Sequence, residues 1–286
     1  MHRRRIIASA IGLFAACGPA TNNVHTGTAP FLASLPVGST RNIVITRYPG
    51  LAQAMESASC TIEADLFDTT TAAQRTTLAT DGDCTLYAAM PDLPIASQQW
   101  ICAGAIIANY GGQAQNLVIC PSSGTMLRPI SPLDCTGLMG GTTVGISSGN
   151  ELDGDVVTDL STQITLPGSV AITQPTSLGV LTWPASGALT VQWTSGSASD
   201  GGTVEMSSLV TVTQRATPAG PTIVCRPTSN GTVSISDTLI AQANLRMQDA
   251  MLRVFSYNDS TTMAEGTKTY HLWGGTEAAV LLQGLR

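Results

Sequence analysis

Ser59-Cys60-Thr61-Ile62-Glu63-Ala64-Asp65-Leu66-Phe67 alternates from residue to residue: Ile62, Ala64 and Leu66 fall on one face, Thr61, Glu63 and Asp65 on the other. A period of two is that of a strand with one packed and one wet face. The same rhythm recurs in short runs. Asn42–Thr46 precedes this stretch and Cys84–Ala88 follows it, the latter entered through the tight-turn signal Asp81-Gly82. Thr142–Ser147 continues the series. Past Pro167-Gly168, read as a joint between two units, come Ser169–Thr173, Gly179–Trp183, Ala188–Trp193, Thr203–Ser207, Ser208–Thr213, Thr222–Cys225, Thr232–Ser236, Leu252–Tyr257 and Thr269–Trp273. Short strands separated by Gly, Pro and Asn-Gly turns predict a β-sandwich of immunoglobulin type in this half. One run breaks the rhythm: Asp237 is placed to cap a short helix over Thr238–Met247. The expected fold is therefore all-β, with two β-sandwich-like units and one short helix. Residues 31–166 would form a disulfide-containing β domain and residues 167–286 the immunoglobulin-like one. The halves share no period, which excludes a repeat array.

The chain begins with Arg3-Arg4-Arg5, an apolar run Ile6–Ala16, and Cys17. Three arginines resist translocation, and the run is too short for the ~20 residues that span a bilayer as a helix. Small residues at Ala15 and Ala16 give a peptidase access to the bond before Cys17. The segment resembles the lipobox of bacterial lipoproteins, with Phe14 where Leu is usual. That resemblance implies removal of residues 1–16 and lipidation of Cys17. Gly18 in place of Asp implies sorting to the outer membrane. Each buried methylene of a lipid chain contributes ~0.8 kcal/mol, so two or three chains hold durably. Residues 17–30 lack apolar periodicity and read as a flexible tether, with His25 as a solvated member of it.

Cleavage would leave 10 basic against 19 acidic residues, a net charge of −9, with Lys268 the only lysine. Such a chain offers no electrostatic footprint to nucleic acid or to anionic lipid. With Cys17 lipidated, Cys60, Cys84, Cys102, Cys120, Cys135 and Cys225 remain. An even set in an exported chain reads as up to three disulfides. Cys102 and Cys120 are symmetric about Gly111 in the run Ile101–Cys120, so a three-residue hairpin loop would set them opposite each other. The absence of any CxxC pair or neighbouring histidine argues against a metal at these thiols.

Three further features resemble a set of uncharacterised exported lipoproteins of myxobacteria and related deltaproteobacteria. They are Gly82-Asp83-Cys84 with Ala103–Ile107; Gly141–Val144 with Ile172–Pro175; and Leu189–Trp193 with Cys225, Gly231–Ile235 and Leu239-Ile240. The resemblance covers most of the mature chain, and Cys102 and Cys120 depart from it. It implies β-sandwich architecture and a periplasmic or surface location, and it carries no activity.

Catalytic motifs are few. Gly145-Ile146-Ser147-Ser148-Gly149 matches G-x-S-x-G, with Asp155 or Asp159 and His271 downstream in hydrolase order. That chemistry needs Ser147 on a strained strand-to-helix turn. The residues that follow, Asn150-Glu-Leu-Asp-Gly-Asp155, read as a turn, so a Gly/Ser-rich β-turn is expected instead. The same acidic turn lacks the spacing of an EF-hand and reads as solvated rather than Ca²⁺-binding. His271 is the single histidine of the folded part and shares a strand face with Trp273, which argues against histidine-based acid/base work. Trp100, Trp183, Trp193 and Trp273 would stack on sugars if exposed together; core packing is the expectation for Trp183 and Trp193. The expected function is that of a membrane-anchored cell-envelope lipoprotein with a non-catalytic binding or structural role, no cofactor, and a glycan or protein ligand met through loops 109–115, 147–155 and 195–202. A serine hydrolase using Ser147 and a carbohydrate-binding module are the alternatives.

Overall fold

The computed structural model describes residues 41–51, 58–66, 76–88, 105–118, 130–148, 160–176, 181–196, 207–216, 220–228, 231–264 and 268–285. The leader, Cys17, the tether with His25, Trp100, Cys102, Cys120 and the acidic turn with Asp155 and Asp159 lie outside these residues.

The protein is all-β. In chain order the first strands are β1 (Arg41–Tyr48), β2 (Ser59–Leu66), β3 (Thr77–Asp81), β4 (Cys84–Tyr87), β5 (Ala105–Tyr110) and β6 (Gln113–Val118). They are followed by β7 (Ile130–Pro132), β8 (Thr143–Ser148), β9 (Ser161–Thr165), β10 (Val170–Gln174), β11 (Leu181–Thr182) and β12 (Leu189–Ser195). The last are β13 (Ser207–Gln214), β14 (Thr222–Cys225), β15 (Thr232–Ile235), helix α1 (Asp237–Gln242), β16 (Ala250–Ala264) and β17 (Lys268–Gln283). One large sheet runs in the order β3-β4-β14-β13-β16-β17-β1-β2-β7, with β11 beside the end of β17. Two smaller sheets, β6-β5-β8-β9 and β10-β12-β15, make the sandwich partners.

Alternation along the shared strands explains the layers. On β17, Tyr270 and Leu272 enter a first core with Ile43, Ile45, Ile106, Val144 and Ile146. Farther along the same strand, Val280 and Leu282 enter a second core with Val191, Trp193, Val212 and Leu252. The hairpin β16–β17 thus serves both sandwiches, pairing without a break from Ala250↔Leu282 to Ala264↔Lys268. The expected division at Pro167-Gly168 needs correction on this point. β1 pairs in parallel with β17, and β4 pairs with β14, so neither sandwich is contiguous in sequence. The reason is that a long hairpin buries more apolar surface when a second sheet covers each of its halves.

Between the cores the contacts turn polar and the packing tightens. A Cβ on Gly274 would lie 3.0 Å from the side chains of Ile164 and Leu166, so the missing side chain lets β9 settle on β17. Asn258 Nδ2 donates to the Thr165 carbonyl at 2.6 Å, and Thr276 Oγ1 donates to that of Pro167 at 3.2 Å. Ser256 Oγ lies 2.7 Å from Ser195 Oγ and 3.3 Å from Ser208 Oγ. The Asn258 and Thr276 bonds satisfy carbonyls of the segment that passes from β9 to β10.

Two disulfides brace the large sheet. Cys60–Cys135 joins β2 to a 3₁₀ turn after β7, and Cys84–Cys225 joins directly opposed residues of β4 and β14. The hairpin β5–β6 closes in two residues, Gly111 and Gly112, both with positive φ (54° and 76°). Its register is Tyr110↔Gln113 through Ala105↔Val118, one residue from the three-residue loop expected. Two glycines adopt the left-handed pair of a primed turn without steric cost, which removes the need for a third loop residue. Cys102 and Cys120, expected opposite each other, lie outside the described residues. Helix α1 is shorter than expected and is capped by Ser236, whose hydroxyl accepts from the Leu239 N–H at 3.4 Å; Asp237 lies in its first turn. Leu239 and Ile240 anchor it in the second core.

Candidate binding surface

β8 sets the centre of the surface. Val144 and Ile146 are buried in the first core, so Thr143, Gly145 and Ser147 point away from it. On either side, Ser147 lies opposite Ile107 and Ser161, and Gly145 opposite Asn109 and Gln163. Thr143 lies opposite Thr165, their Oγ1 atoms 2.9 Å apart. Facing residues on one side of a sheet are ~5 Å apart across strands and ~7 Å along them. The result is a regular lattice of hydroxyl and amide groups. Asn109, Thr143, Ser161 and Gln163 are exposed, while Ile107 and Ser147 are half-buried. None of the residues of β5, β6, β8 and β9 is Asp, Glu, Lys or Arg. A Cβ on Gly145 would meet only Asn109, at 3.8 Å, so this glycine leaves a shallow dip where a side chain would fit.

At one end of this sheet the loops abut. Tyr110 Oη accepts from the Asp134 N–H at 3.1 Å and donates to Gln115 Oε1 at 3.1 Å. Asp134 Oδ1 accepts from the Thr136 N–H at 2.9 Å, and Oδ2 from Thr136 Oγ1 at 2.8 Å. These bonds hold the Asp134 carboxyl below its ordinary pKa. A Cβ on Gly111 would stand 3.1 Å from Gly137, one on Gly140 2.7 Å from Gly168, and one on Gly168 2.2 Å from Gly196. The hairpin tip, the turn at 134–142, the β9–β10 connection and the end of β12 therefore follow one another backbone against backbone. Met139, 63% exposed, stands on this ridge. Loop 109–115 and the start of 195–202 reach it. Ser147 and Ser148, which lead into 147–155, sit at the opposite end, because Ser148 pairs with Ile106. Residues 149–155 and 197–202 of the other two expected recognition loops lie outside the described residues.

The other sequence candidates separate as well. Ser147 lies within a strand paired on both sides, not on a strand-to-helix turn, so the nucleophile-elbow geometry is not formed. His271 belongs to β17 and stacks on Trp273 at 5.4 Å, interplanar 13°. The first core lies between it and Ser147. Trp183 and Trp193 are 2% and 3% exposed in the second core, their indole N–H groups donating to the Gln248 carbonyl and to Ser208 Oγ, each at 3.3 Å. Trp273 is 7% exposed on the other side of the large sheet. These three do not form a platform. Among the described residues no group of three or more His, Cys, Asp or Glu is placed to hold a metal ion.

Sequence reasoning missed the second face of the large sheet, where Val44, Leu209, Val224, Phe255 and Trp273 form a further buried cluster. Arg253 Nη1 donates to Glu277 Oε1 at 2.7 Å, the two side chains 6% and 1% exposed. The Arg253 guanidinium sits 5.4 Å from the centre of the Tyr48 ring. Phe255 and Tyr257 stack at 5.5 Å. A Cβ on Gly275 would fall 2.3 Å from the Phe255 ring, which therefore covers this glycine. Burial raises the Tyr257 pKa above 10.0, against the opposing pull of Arg226 and a hydrogen bond with Ser207. The signal was present: Arg253 is the one charge of the run Leu252–Tyr257, and Glu277 directly precedes the apolar Ala278-Ala279-Val280.

No protein-family model matches this chain, and no curated protein matches it. Among solved structures it is similar to the FN1–FN3 domains of chicken CNTN1, at 10% identity and a TM-score of 0.21. The match covers 71% of this chain and 61% of that one.

Proposed function

We propose that the protein is an exported lipoprotein of the cell envelope, held to the outer membrane by lipid on Cys17, with a binding or structural role instead of a catalytic one. The observation that carries the reading is the pair of bridges Cys60–Cys135 and Cys84–Cys225. Structural disulfides persist in oxidising compartments outside the cytosol, in keeping with the leader and the lipobox-like end at Cys17. They close spans of 75 and 141 residues. On the chain-entropy account such spans restrain the unfolded chain by about 4.5 and 5 kcal/mol. The non-catalytic part of the proposal is supported by Ser147 and His271 belonging to faces turned away from each other.

Intact mass spectrometry of the chain recovered from membranes tests the anchor. The expected species starts at Cys17 and carries lipid; an unmodified chain that keeps residues 1–16 overturns it. A fluorophosphonate probe tests the second part. No label on Ser147 is expected, and stoichiometric labelling there would reinstate a hydrolase.

A further inference from the structure

We propose that the outward face of the four-stranded sheet β6-β5-β8-β9 is a binding surface for a neutral polysaccharide. This inference rests on the binding role proposed above and is independent of the lipid anchor. The face presents Asn109, Ser147, Ser161 and Gln163 around the dip at Gly145, with the Thr143–Thr165 hydroxyl pair at one border. Each of these side chains both donates and accepts hydrogen bonds, as sugar hydroxyls do. Ile107, half-buried opposite Ser147, supplies an apolar patch for the C–H face of a sugar ring.

Charge selects among partners. Nucleic acid, phosphorylated headgroups and acidic polysaccharides need cations to displace their counterions, and no residue of these four strands is charged. Stable protein interfaces concentrate Tyr, Trp, Phe, Met and Arg at their centre, whereas this centre is a glycine ringed by hydroxyls and amides. Face-to-face stacking with a second copy interleaves apolar side chains in a core about 10 Å thick, which this lattice does not offer. A neutral chain of hydroxyl-bearing rings matches both the chemistry and the absence of charge. No aromatic ring stands among the described side chains of the face to stack on a sugar, so the affinity per ring is low and repeated units along the polymer supply the retention.

Affinity electrophoresis of the full chain, recovered from membranes in non-ionic detergent, tests this. Native gels would contain amylose, a β-1,3-glucan or a galactomannan, with alginate as the acidic control. The expected result is retardation in at least one neutral gel, unchanged by salt, and none in alginate. Gly145→Arg, which fills the dip without backbone conflict, and Gln163→Glu should each weaken retention by about fivefold or more, the effect of one lost hydrogen bond. Gln163 is exposed, so its variant keeps the test informative if Gly145→Arg unfolds. Met139→Ala, on the loop ridge, should leave retention unchanged. Free migration in every neutral gel, retention only by alginate, retention indifferent to both face variants, or a dimer that Gly145→Arg dissociates would each overturn the proposal. Lipid on Cys17 without glycan retention would remove this surface and leave the anchor standing; retention by a chain with an unmodified Cys17 would do the reverse.

Discussion

Ser147 and Glu277 both point away from the two sandwich cores, yet their surroundings are opposite. Ser147 stands half-buried on a lattice of hydroxyls and amides without charge. Glu277 is 1% exposed and bound to Arg253, with Tyr48 beside the guanidinium. Both faces arise from the same two-residue alternation, so periodicity alone does not distinguish them. The difference lies in what desolvation does to a polar group. A hydroxyl in water needs no fixed partner, whereas a carboxylate taken out of water must be paired or it opposes folding.

Removing one partner from each face should therefore have very different consequences. Glu277→Ala leaves the Arg253 cation buried without its carboxylate and should cost about 3–5 kcal/mol. Ser147→Ala should change stability by no more than about 0.5 kcal/mol. Urea unfolding followed by tryptophan fluorescence measures both, Trp183 and Trp193 being buried reporters in the second core. A Glu277→Ala chain as stable as its parent would show that the pair is solvated and would erase the contrast. Replacing both residues by apolar ones of similar volume, Arg253→Met with Glu277→Leu, should recover much of the loss, since the penalty belongs to the orphaned charge.

The glycines sharpen the comparison at a smaller scale. A Cβ at Gly275 would meet the Phe255 ring at 2.3 Å and the Ser256 carbonyl at 2.7 Å, so Gly275→Ala must displace the ring or the strand. Overpacking of this kind costs about 1–3 kcal/mol. At Gly145 the added methyl reaches nothing nearer than 3.8 Å. There the substitution should be neutral or stabilise by about 0.5–1 kcal/mol, because alanine has less backbone entropy to lose. Equal effects at the two sites in thermal unfolding would contradict the close seating of Phe255 on Gly275.

What the sequence made legible follows from the same physics. Strands with strong alternation, such as β2, β12 and β13, and the Asp81-Gly82 turn stand where their residues imply. β3 and β9 were not anticipated: Thr77–Asp81 is mostly exposed, and Ser161–Thr165 buries only Ile164 fully, so neither shows a clear apolar period. The strand expected at Thr269–Trp273 runs on to Gln283 through Gly274-Gly275. Local propensity disfavours two glycines in a strand, but each is required by a neighbour distant in sequence, Ile164 for one and Phe255 for the other. The sharing of one sheet by both sandwiches was illegible for a like reason, since β4–β14 and β1–β17 pair residues more than a hundred positions apart. As for the candidate surface, Ser147 drew notice through a motif whose chemistry needs a different backbone, while Asn109, Ser161 and Gln163 became a face only through their register with β8.

Two titrations extend the contrast between a dry face and a wet one. Tyr257, packed against the buried cluster of Phe255 and Trp273, has its pKa raised chiefly by burial. The folded chain therefore holds the phenol proton more tightly than the unfolded chain, whose phenol titrates near 10.0. Stability from this group is complete below that pH and declines as pH rises beyond it. Tyr257→Phe, lacking the proton, should flatten that part of the stability profile above pH 10, as read by urea midpoints. A profile unchanged by the substitution would mean that Tyr257 is hydrated.

Asp134 should give the mirror image and the smallest effect of the set. It lies at the hairpin end of the four-stranded sheet, exposed, and its carboxyl is held below the ordinary 3.8 by the Thr136 N–H first and the Thr136 hydroxyl second. A depressed folded pKa means that the unfolded chain takes up the proton first as pH falls. The contribution is then complete above the ordinary carboxylate range and is lost as pH drops through the folded value. Because the carboxylate stays in water, added salt and solvent screen what it adds to stability, so the sensitive observable is local. The Thr136 amide resonance should move in acid with a midpoint below 3.8 and stop moving in Asp134→Asn. A midpoint at or above 3.8 would mean that the two Thr136 bonds do not favour the ionised form.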